Sequence, residues 1–418
     1  MNKISDSGIR VVEEETPLER ISQVLSATSD PVMFSRPIVN GRPAKMPLVS
    51  NLYASREQVS KQLGCAPAEL PGRIAEAIAR PIRYEAAPGK LPLSEDKVDL
   101  CSLPILRFFP QDPGRYVTSS VIIARDRRGK INASFHRLLL LDENSFAVRL
   151  VPRDLYKIYR ESSSRGEDLE VAVCIGAGLP FLLAAATHVP YEVNELEIAA
   201  ALSPGFHFLE LSNGLHLPAD AQIVLLGRIT RRMADEGPFV DITGTADIVR
   251  KQPVLEIDEV LTCEQPVYYT IFPSGPEHRL LMGLPREAAI FERVRQRVDV
   301  KAVRLTDGGC AWLHGVVSIR KKSEQDGPAA IRAAMDAHPS MKHVVVVDED
   351  IDIFDERDVE WAIATRFNAS KDLYIFPNQR GSSLDPSSPN SKTTKLGIDA
   401  TAPAGIPDRF RRVRRGGR

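Results

Sequence analysis

The middle of the chain alternates between apolar runs and turn-forming residues. The runs RYVTSSVIIARD, INASFHRLLLLD and SFAVRLVP are separated by DRRGK and DENS, and AQIVLLGRIT and FVDITGTADIV follow further along. Short runs rich in β-branched and aromatic residues, bounded by turn signals, predict strands. The pattern therefore predicts a mostly β region over residues 105–265.

On both sides of this region the spacing of apolar residues changes. Before it, PLERISQVL, SREQVSKQLG and PAELPGRIAEAIARPI have the spacing of amphipathic helices. After it, helix and strand patterns alternate from REAAIFERVRQRV through VKAVRLT to HVVVVDED and DVEWAIATRF, which is typical of an α/β domain with a largely parallel sheet. We expect α/β domains at 1–104 and 266–402 around the β region, and a basic tail at 403–418.

Composition and charge narrow the classes of protein. The 418 residues carry 54 basic and 55 acidic side chains, so bulk charge gives no reason to expect nucleic acid or an anionic membrane as partner. The N-terminus has no apolar leader, and no run reaches the roughly eighteen apolar residues of a membrane span. The five cysteines are widely spaced and form no CxxC pair. We expect a cytoplasmic protein with reduced thiols.

Two motifs have ordinary structural explanations. The acidic stretch from Asp348 to Trp361 lacks the central glycine and the oxygen spacing of a calcium loop, so we expect a strand end and a helix capped near Asp355. GAGLP, at Gly176, stands where a phosphate loop would stand between a strand and a helix, but it lacks the full glycine fingerprint. Neither motif indicates a site.

Three oxygen-bearing residues occur near predicted strand ends. Asn132 offers an amide oxygen, and Asp154 and Glu195 offer carboxylates, which suit magnesium or manganese better than zinc. In the ordinary alternative, Asn132 closes a turn, Asp154 caps a helix and Glu195 lies on a solvated face. The residues alone favour this alternative.

His136 and Arg137 directly precede the apolar run Leu138–Leu141. A lone His-Arg pair there is ordinarily a buried histidine beside a surface arginine. Asn132 and Arg137 are an odd number of residues apart, so an unbroken strand would turn them to opposite faces. A shared site would therefore require a bulge or a bend.

Eight motifs occur in order over nearly the whole chain: DPGRYVTSSVIIARD, INASFHRLLLL, VRLVPRDLYKIYRE, PADAQIVLLGRIT, EGPFVDITG, VVVVDEDIDIFDERDVEWAIATR, GSSLDPSS and TTKLGIDAT. Together they resemble the motifs of the UbiD family of decarboxylases. The compact length resembles the short archaeal-type members, which include a decarboxylase of trans-anhydromevalonate 5-phosphate. The resemblance implies an N-terminal α/β domain, a flavin-binding split β-barrel and a C-terminal α/β domain used in oligomerisation, as a homodimer or a hexamer.

The same resemblance implies a cofactor and a reaction. The cofactor is prenylated FMN, made by a flavin prenyltransferase and held through a divalent metal, Mn²⁺ or Mg²⁺, with K⁺ nearby. The reaction is the non-oxidative, reversible decarboxylation of a small α,β-unsaturated or aromatic carboxylic acid. The family's asparagine, histidine and glutamate ligands fall on Asn132, Asp154 and Glu195, so a carboxylate replaces an imidazole; Ser134 and Arg137 lie in the cofactor motif, and Lys395 matches a phosphate-side lysine.

Arg137 falls on the family's catalytic arginine, which orients the substrate carboxylate. The family motif PAxAExxxEG contributes two glutamates, and here it reads PADAQIVLLG, with Gln222 and Leu226 at those positions. Glutamine can still hydrogen-bond Arg137 but is not an acid. Either His136 has become the proton donor, the pocket serves a different reaction on the same scaffold, or the protein is a catalytically impaired binding or partner subunit.

Overall fold

The computed structural model describes residues 8–88, 93–404 and 408–413, with side chains described except at 93–96 and 389. The helices in this part of the chain are α1 Leu18–Ala27, α2 Arg56–Leu63, α3 Leu70–Ala79, α4 Asp154–Ser164, α5 Leu179–Ala186, α6 Glu195–Leu202, α7 Pro276–Arg295, α8 Asp326–Ala337 and α9 Glu356–Arg366.

The strands of the described residues begin with β1 Arg10–Pro17, β2 Val32–Val39, β3 Arg42–Pro43, β4 Leu48–Ser50, β5 Ala86–Pro88, β6 Leu93–Asp96, β7 Tyr116–Val117, β8 Val121–Arg125, β9 Ile131–Phe135, β10 Leu138–Leu140 and β11 Ser145–Val148. They continue with β12 Leu169–Ile175, β13 Phe208–Glu210, β14 His216–Pro218, β15 Ile223–Glu236, β16 Arg250–Cys263, β17 Tyr268–Tyr269, β18 Asp299–Leu305, β19 His314–Arg320, β20 His343–Asp348, β21 Leu373–Arg380 and β22 Lys392–Ala400.

The chain divides into two compact units. The first contains the residues up to Pro67 together with Glu76–Leu281, and the second contains Ala68–Ala75 and the residues from Met282 onward. This division differs from the three domains expected from the sequence, whose boundaries stay a prediction. The expected basic tail at 403–418 lies partly outside the described residues; within 408–413, Arg412 pairs with Asp358.

The first unit is built on an antiparallel sheet with the strand order β7-β10-β11-β16-β15-β12-β8-β9, to which β6 is added beside β16. Its centre is the long pair β15 and β16, each of 14 residues. Apolar side chains of this sheet pack into one core, as Tyr116, Phe146 and Leu255 do. A second sheet, β1-β2-β4-β17 with β3, and a small sheet, β14-β13-β5, complete the unit.

The segment INASFHRLLLLD is not one strand. β9 ends at Phe135 and pairs with β8, whereas β10 begins at Leu138 and pairs with β7 and β11. His136 and Arg137 occupy the break between the two strands. The bend that a shared site requires is therefore present between Asn132 and Arg137.

The prediction of a strand at FVDITGTADIV is wrong. Residues 237–249 form a loop between β15 and β16, closed by the isolated bridge between Val240 and Ala246. Gly244 has φ +74°, a left-handed conformation that glycine adopts without strain. The β-branched residues gave this segment its strand-like composition, but its glycine and aspartates form a turn.

The second unit has a mixed sheet in the order β18-β19-β20-β22-β21. β19, β20 and β22 are parallel, and β18 and β21 are antiparallel edge strands, so the expected parallel sheet is confirmed only at its centre. The helix start near Asp355 is confirmed, because the Asp355 side chain accepts the N–H of Arg357. Among the described residues no helix is long and apolar enough to cross a membrane.

Candidate active site

Arg137 is surrounded by carboxylates. Its Nε donates to Oε1 of Glu236 at 2.7 Å and its Nη2 to Oε2 at 3.0 Å, a two-pronged pairing. Nη1 donates to Oδ2 of Asp241 at 2.9 Å, and Nη2 also donates to Oδ2 of Asp247 at 3.1 Å. The guanidinium carbon lies 4.4 Å from the ring centre of Phe239. These contacts fix the plane of the guanidinium.

The carboxylates come from one continuous segment. Glu236 is the last residue of β15, and Asp241 and Asp247 lie in the following loop. Oδ1 of Asp241 accepts the N–H of Ile242 at 2.7 Å, which orients its second oxygen toward Arg137. The end of β15 lies beside the break before β10. The loop that follows β15 therefore places Asp241 and Asp247 next to Arg137.

Burial differs among these side chains. Glu236 is fully buried, Arg137 and Asp247 are 9% and 8% exposed, and Asp241 is 22% exposed. Although burial opposes it, hydrogen bonding to Glu236 and the surrounding negative charges raise the pKa of Arg137. Arg137 is therefore permanently charged, and Asp241 is the carboxylate of the three that a ligand can best reach.

A second guanidinium, that of Arg149, lies near the same acids. Burial, together with the charges of Arg250 and Arg137, lowers its pKa. Arg250 in turn pairs with Oδ1 of Asp247 at 2.6 Å. Three guanidinium groups thus balance the three carboxylates, so the buried charges cost less to desolvate.

Asn132 and Glu195 are in direct contact. Nδ2 of Asn132 donates to Oε1 of Glu195 at 3.0 Å, and the N–H of Ala133 donates to Oε2 at 3.2 Å. Asn132 lies on β9 and is buried, and Glu195, the first residue of α6, is 3% exposed. The ordinary alternatives for these two residues, a turn and a solvated face, are wrong.

Asp154 joins this pair electrostatically. It begins α4, whose cap residue is Arg153, so it does not cap the helix. Burial raises the pKa of Glu195, and the charge of Asp154 adds to that rise. Asn132 and Glu195 thus lie in contact, and Asp154 acts on Glu195 through its charge. Within the described ranges no three His, Cys, Asp or Glu side chains are grouped as a metal site.

His136 is a neutral hydrogen-bonding residue. Its Nδ1 lies 2.9 Å from the carbonyl oxygen of Arg149, and since a carbonyl only accepts, Nδ1 carries the proton. Nε2 then accepts from the hydroxyl of Ser134 at 3.0 Å. Burial lowers the pKa of His136 to about 4, so it has no proton to give at neutral pH. The structure argues against His136 as the proton donor.

Ser134 links His136 to Asn132. Its hydroxyl lies 3.1 Å from Oδ1 of Asn132 as well as 3.0 Å from Nε2 of His136. One hydroxyl proton serves one acceptor at a time. When it is donated to His136, Oδ1 of Asn132 keeps its lone pairs for a cation.

The other expected residues have local partners of their own. Gln222 donates from its amide to the carbonyl oxygen of Asp220 at 3.2 Å, whereas Arg137 bonds to other side chains. Leu226 pairs with Ala172 and Glu259 in the middle of the sheet. Lys395, on β22 of the second unit, donates to the carbonyl oxygen of Pro339 at 2.6 Å, and burial lowers its pKa to about 8. Its role at the phosphate stays a prediction.

Sequence reasoning missed Glu236 and Asp241. Both belong to EGPFVDITG, a motif that carried the family resemblance but was assigned to a strand. The two acids, placed around a Gly-Pro turn signal, were the available sign of a loop that presents carboxylates. The replaced glutamates at Gln222 and Leu226 therefore do not leave Arg137 without acidic partners.

Two family models match the chain. Residues 83–276 match the 3-octaprenyl-4-hydroxybenzoate carboxy-lyase Rift-related domain of UbiD, and residues 279–400 match the C-terminal domain of the same carboxy-lyase. The chain belongs to the UbiD family. The expected fold class is confirmed, and the protein is a carboxy-lyase of this family.

Similar proteins of the UbiD family cover the chain almost end to end. An anhydromevalonate phosphate decarboxylase of Methanothermobacter thermautotrophicus is 42% identical over 99% of both chains. That of Archaeoglobus fulgidus is 44% identical over 94% of this chain and 91% of its own. The UbiD-class enzyme HmfF from Pelotomaculum thermopropionicum in complex with FMN is 35% identical with a TM-score of 0.91, covering 97% of this chain and 94% of its own.

Proposed function

We propose that this UbiD-family protein decarboxylates trans-anhydromevalonate 5-phosphate with prenylated FMN as cofactor. The observation that carries the proposal is Arg137, held by Glu236 and Asp241 so that a planar cation and an accessible acid stand side by side. The substrate is supported by the archaeal relatives, which are 42% and 44% identical over nearly their whole length. The cofactor is supported by a solved relative, an evolved dimeric form of HmfF in complex with prenylated FMN, 33% identical with a TM-score of 0.87.

The oxygen cluster fits a divalent metal. Glu195 is buried and the donors to its carboxylate are neutral N–H groups, so its charge is not neutralised by a hydrogen-bonded cation. Mn²⁺ or Mg²⁺ would offset that charge, held by Asn132, Asp154 and Glu195, and would join the flavin phosphate to the protein. The chemistry that the bound flavin supplies is a sink for the negative charge left when CO2 departs.

The residues of this chain orient the substrate carboxylate and pass a proton to the carbon that loses CO2. Nη1 of Arg137 donates one hydrogen to Asp241, which leaves its second hydrogen for a substrate carboxylate. After the carbon–carbon bond breaks and CO2 leaves, the same carbon takes a proton. Asp241 is a carboxylate paired with Arg137, so it acts as a relay that takes this proton from solvent water and passes it to the carbon. Glu236 keeps the guanidinium in place, because both of its oxygens are bonded to Arg137. Asp241 then returns to the carboxylate form that pairs with Arg137.

The proton donor is tested with Asp241→Asn. Loaded wild type should convert trans-anhydromevalonate 5-phosphate, and the variant should lose about 10²–10⁴-fold in turnover with unchanged flavin absorbance. Asp235→Asn, at an exposed carboxylate paired with Lys251, is the matched control and should retain full turnover. Flavin-loaded wild type that does not act on this phosphate, or an Asp241→Asn enzyme of full activity, would overturn the proposal.

The cofactor site is tested by retention of flavin. Asn132→Ala and Glu195→Ala should each lose flavin and manganese when co-expressed with a flavin prenyltransferase, the expected supplier, because each removes an oxygen donor. Mass spectrometry and metal analysis of the purified protein measure both. Flavin content equal to wild type in both variants would contradict the site.

The expected K⁺ has no residue assigned to it. Light scattering of the purified protein would decide between the expected homodimer and hexamer.

A further inference from the structure

Lys130 has a buried ammonium group without a hydrogen-bond acceptor in the part of the chain that the structure describes. Its Nζ lies 4.7 Å from the ring centre of Tyr191. An ammonium ion deprived of both water and acceptors is costly, and a cation–π contact recovers only part of that cost. The protein therefore keeps a buried positive charge at Lys130 that its own hydrogen bonds do not stabilise.

Asp126 fixes the position of this ammonium group. Its Oδ1 accepts the backbone N–H groups of Arg128 and Lys130, both at 2.8 Å. Its Oδ2 accepts the hydroxyl of Tyr191 at 2.8 Å. One carboxylate thus anchors both the backbone of Lys130 and the ring below its ammonium group, while its own charge is taken up by these donors.

Lys130 is next to the oxygen cluster of the proposed metal site. It stands two residues before Asn132, which places the two side chains on the same side of an extended chain. Its charge acts on Glu195, and so does the charge of Asp154 with the opposite sign. Asp154 also acts on Tyr191, the ring beneath Lys130. One cation and two carboxylates therefore share this neighbourhood.

The net charge of the proposed metal site indicates a role for the ammonium group of Lys130. With carboxylates at both Asp154 and Glu195, a divalent metal is already neutralised before the phosphate of a flavin arrives. A phosphate monoester would then add negative charge that nothing offsets. The positive charge of Lys130 gives the site the same net charge that it would have if residue 154 were a neutral histidine.

We propose that Lys130 is a positioning residue that offsets the charge of Asp154, so that the site binds a divalent cation together with a phosphate monoester. The proposal rests on the proposed function, because it takes the flavin phosphate as the anion. It assigns to Lys130 an electrostatic role exerted through Asp154 and Glu195, without chemistry on the substrate.

Lys157 offers a matched control. Its Nζ lies 3.7 Å from the centre of the same Tyr191 ring, but the residue is exposed, on the first turn of α4 after Asp154. Lys157→Met removes the same charge and the same kind of ring contact as Lys130→Met. It leaves the buried ammonium group in place.

The experiment is a titration of the full-length protein with FMN in the presence of Mn²⁺, followed by flavin fluorescence. Lys130→Met should weaken FMN binding by about tenfold or more, as the loss of a group that supports metal ligands commonly does. Lys130→Arg, which keeps the charge, and Lys157→Met should stay within about threefold of wild type. Asp154→Asn in the Lys130→Met background should recover most of the lost affinity, which a merely structural role for Lys130 would not produce.

Equal affinities of Lys130→Met and Lys157→Met would overturn the proposal, and so would a double variant that binds no better than Lys130→Met. Circular dichroism identifies a variant that fails to fold; Lys130→Gln then replaces Lys130→Met with the same expectations. Wild type that binds neither FMN nor Mn²⁺ would instead overturn the proposed cofactor site, and this proposal with it. The two failures are distinguishable because one appears in wild type and the other only in the variants.

Discussion

At the scale of single residues, the guanidinium of Arg137 is the feature on which the site depends. Lysine at this position would keep the charge but could not pair with both oxygens of Glu236 while reaching Asp241 and Asp247. Arg137→Lys should therefore lower turnover by about 10²-fold through misplacement of the substrate carboxylate. Flavin absorbance should stay near wild type, because the oxygen cluster is not altered.

The control for this prediction is Arg128→Lys, at an exposed arginine in the turn before β9. Steady-state kinetics and flavin absorbance of the two variants are measured together. An Arg137→Lys enzyme as active as Arg128→Lys would show that the planar fork is not needed.

The positions of the replaced glutamates give a second prediction. Gln222→Glu with Leu226→Glu should bring no gain in turnover, because Arg137 already has Glu236 and Asp241 as partners. The double variant should instead lose roughly 1–3 kcal/mol of unfolding free energy, since it introduces a carboxylate at the buried Gln222. Urea unfolding and turnover measure the two effects. A tenfold gain in turnover would show that PADAQIVLLG is an impaired catalytic motif after all.

At the scale of elements, the pair of β15 and β16 positions the carboxylates. The register of this pair shifts between Leu226 and Gly227, and a Cβ at Gly227 would lie 2.0 Å from the carbonyl oxygen of Glu256. Gly227→Ala should therefore destabilise the fold by roughly 1–3 kcal/mol through overpacking. Because β15 ends at Glu236, turnover should fall as well.

Gly308→Ala is the control, because a Cβ there meets no atom within 4 Å. Urea unfolding of both variants gives the comparison. A Gly227→Ala protein with the unfolding midpoint of Gly308→Ala would mean that the strand pair can separate at this point without cost.

For the molecule as a whole, pH-dependent stability should include a contribution from Glu277. Its carboxylate accepts the N–H groups of Asn51 and Tyr53, both at 2.8 Å, and burial raises its pKa from 4.5 to about 7. Between these values the folded chain holds a proton that the unfolded chain releases, so the free energy of unfolding falls as pH rises from 4.5 to 7. Glu277→Gln should remove this part of the pH dependence.

Glu292 is the control, because its titration changes the free energy of unfolding with pH in the opposite direction. Hydrogen bonds from Arg295 and Gln296 lower the pKa of Glu292 despite its partial burial, so its contribution to stability is lost as pH falls. Urea unfolding of wild type, Glu277→Gln and Glu292→Gln from well below pH 4.5 up to pH 7 tests both signs, because the contribution of Glu292 is lost below pH 4.5 and that of Glu277 above it. Identical pH profiles for wild type and Glu277→Gln would contradict the assignment.

The sequence by itself determined the elements whose signals are local. Periodicity identified α1, α2 and α3, and the side-chain cap of α9 was readable at Asp355. The motif resemblance identified the family and pointed to Asn132, Glu195 and Arg137, and two of these, Asn132 and Arg137, lie within the single motif INASFHRLLLL. Each of these inferences depends on residues a few positions apart.

The tertiary structure alone decided which acids meet Arg137. Glu236, Asp241 and Asp247 are 99, 104 and 110 residues away along the chain. Their approach depends on the break after β9, on the register of β15 with β16 and on a loop whose composition resembles that of a strand. Such long-range pairing is set by the cooperative packing of the whole sheet, to which no local pattern gives access.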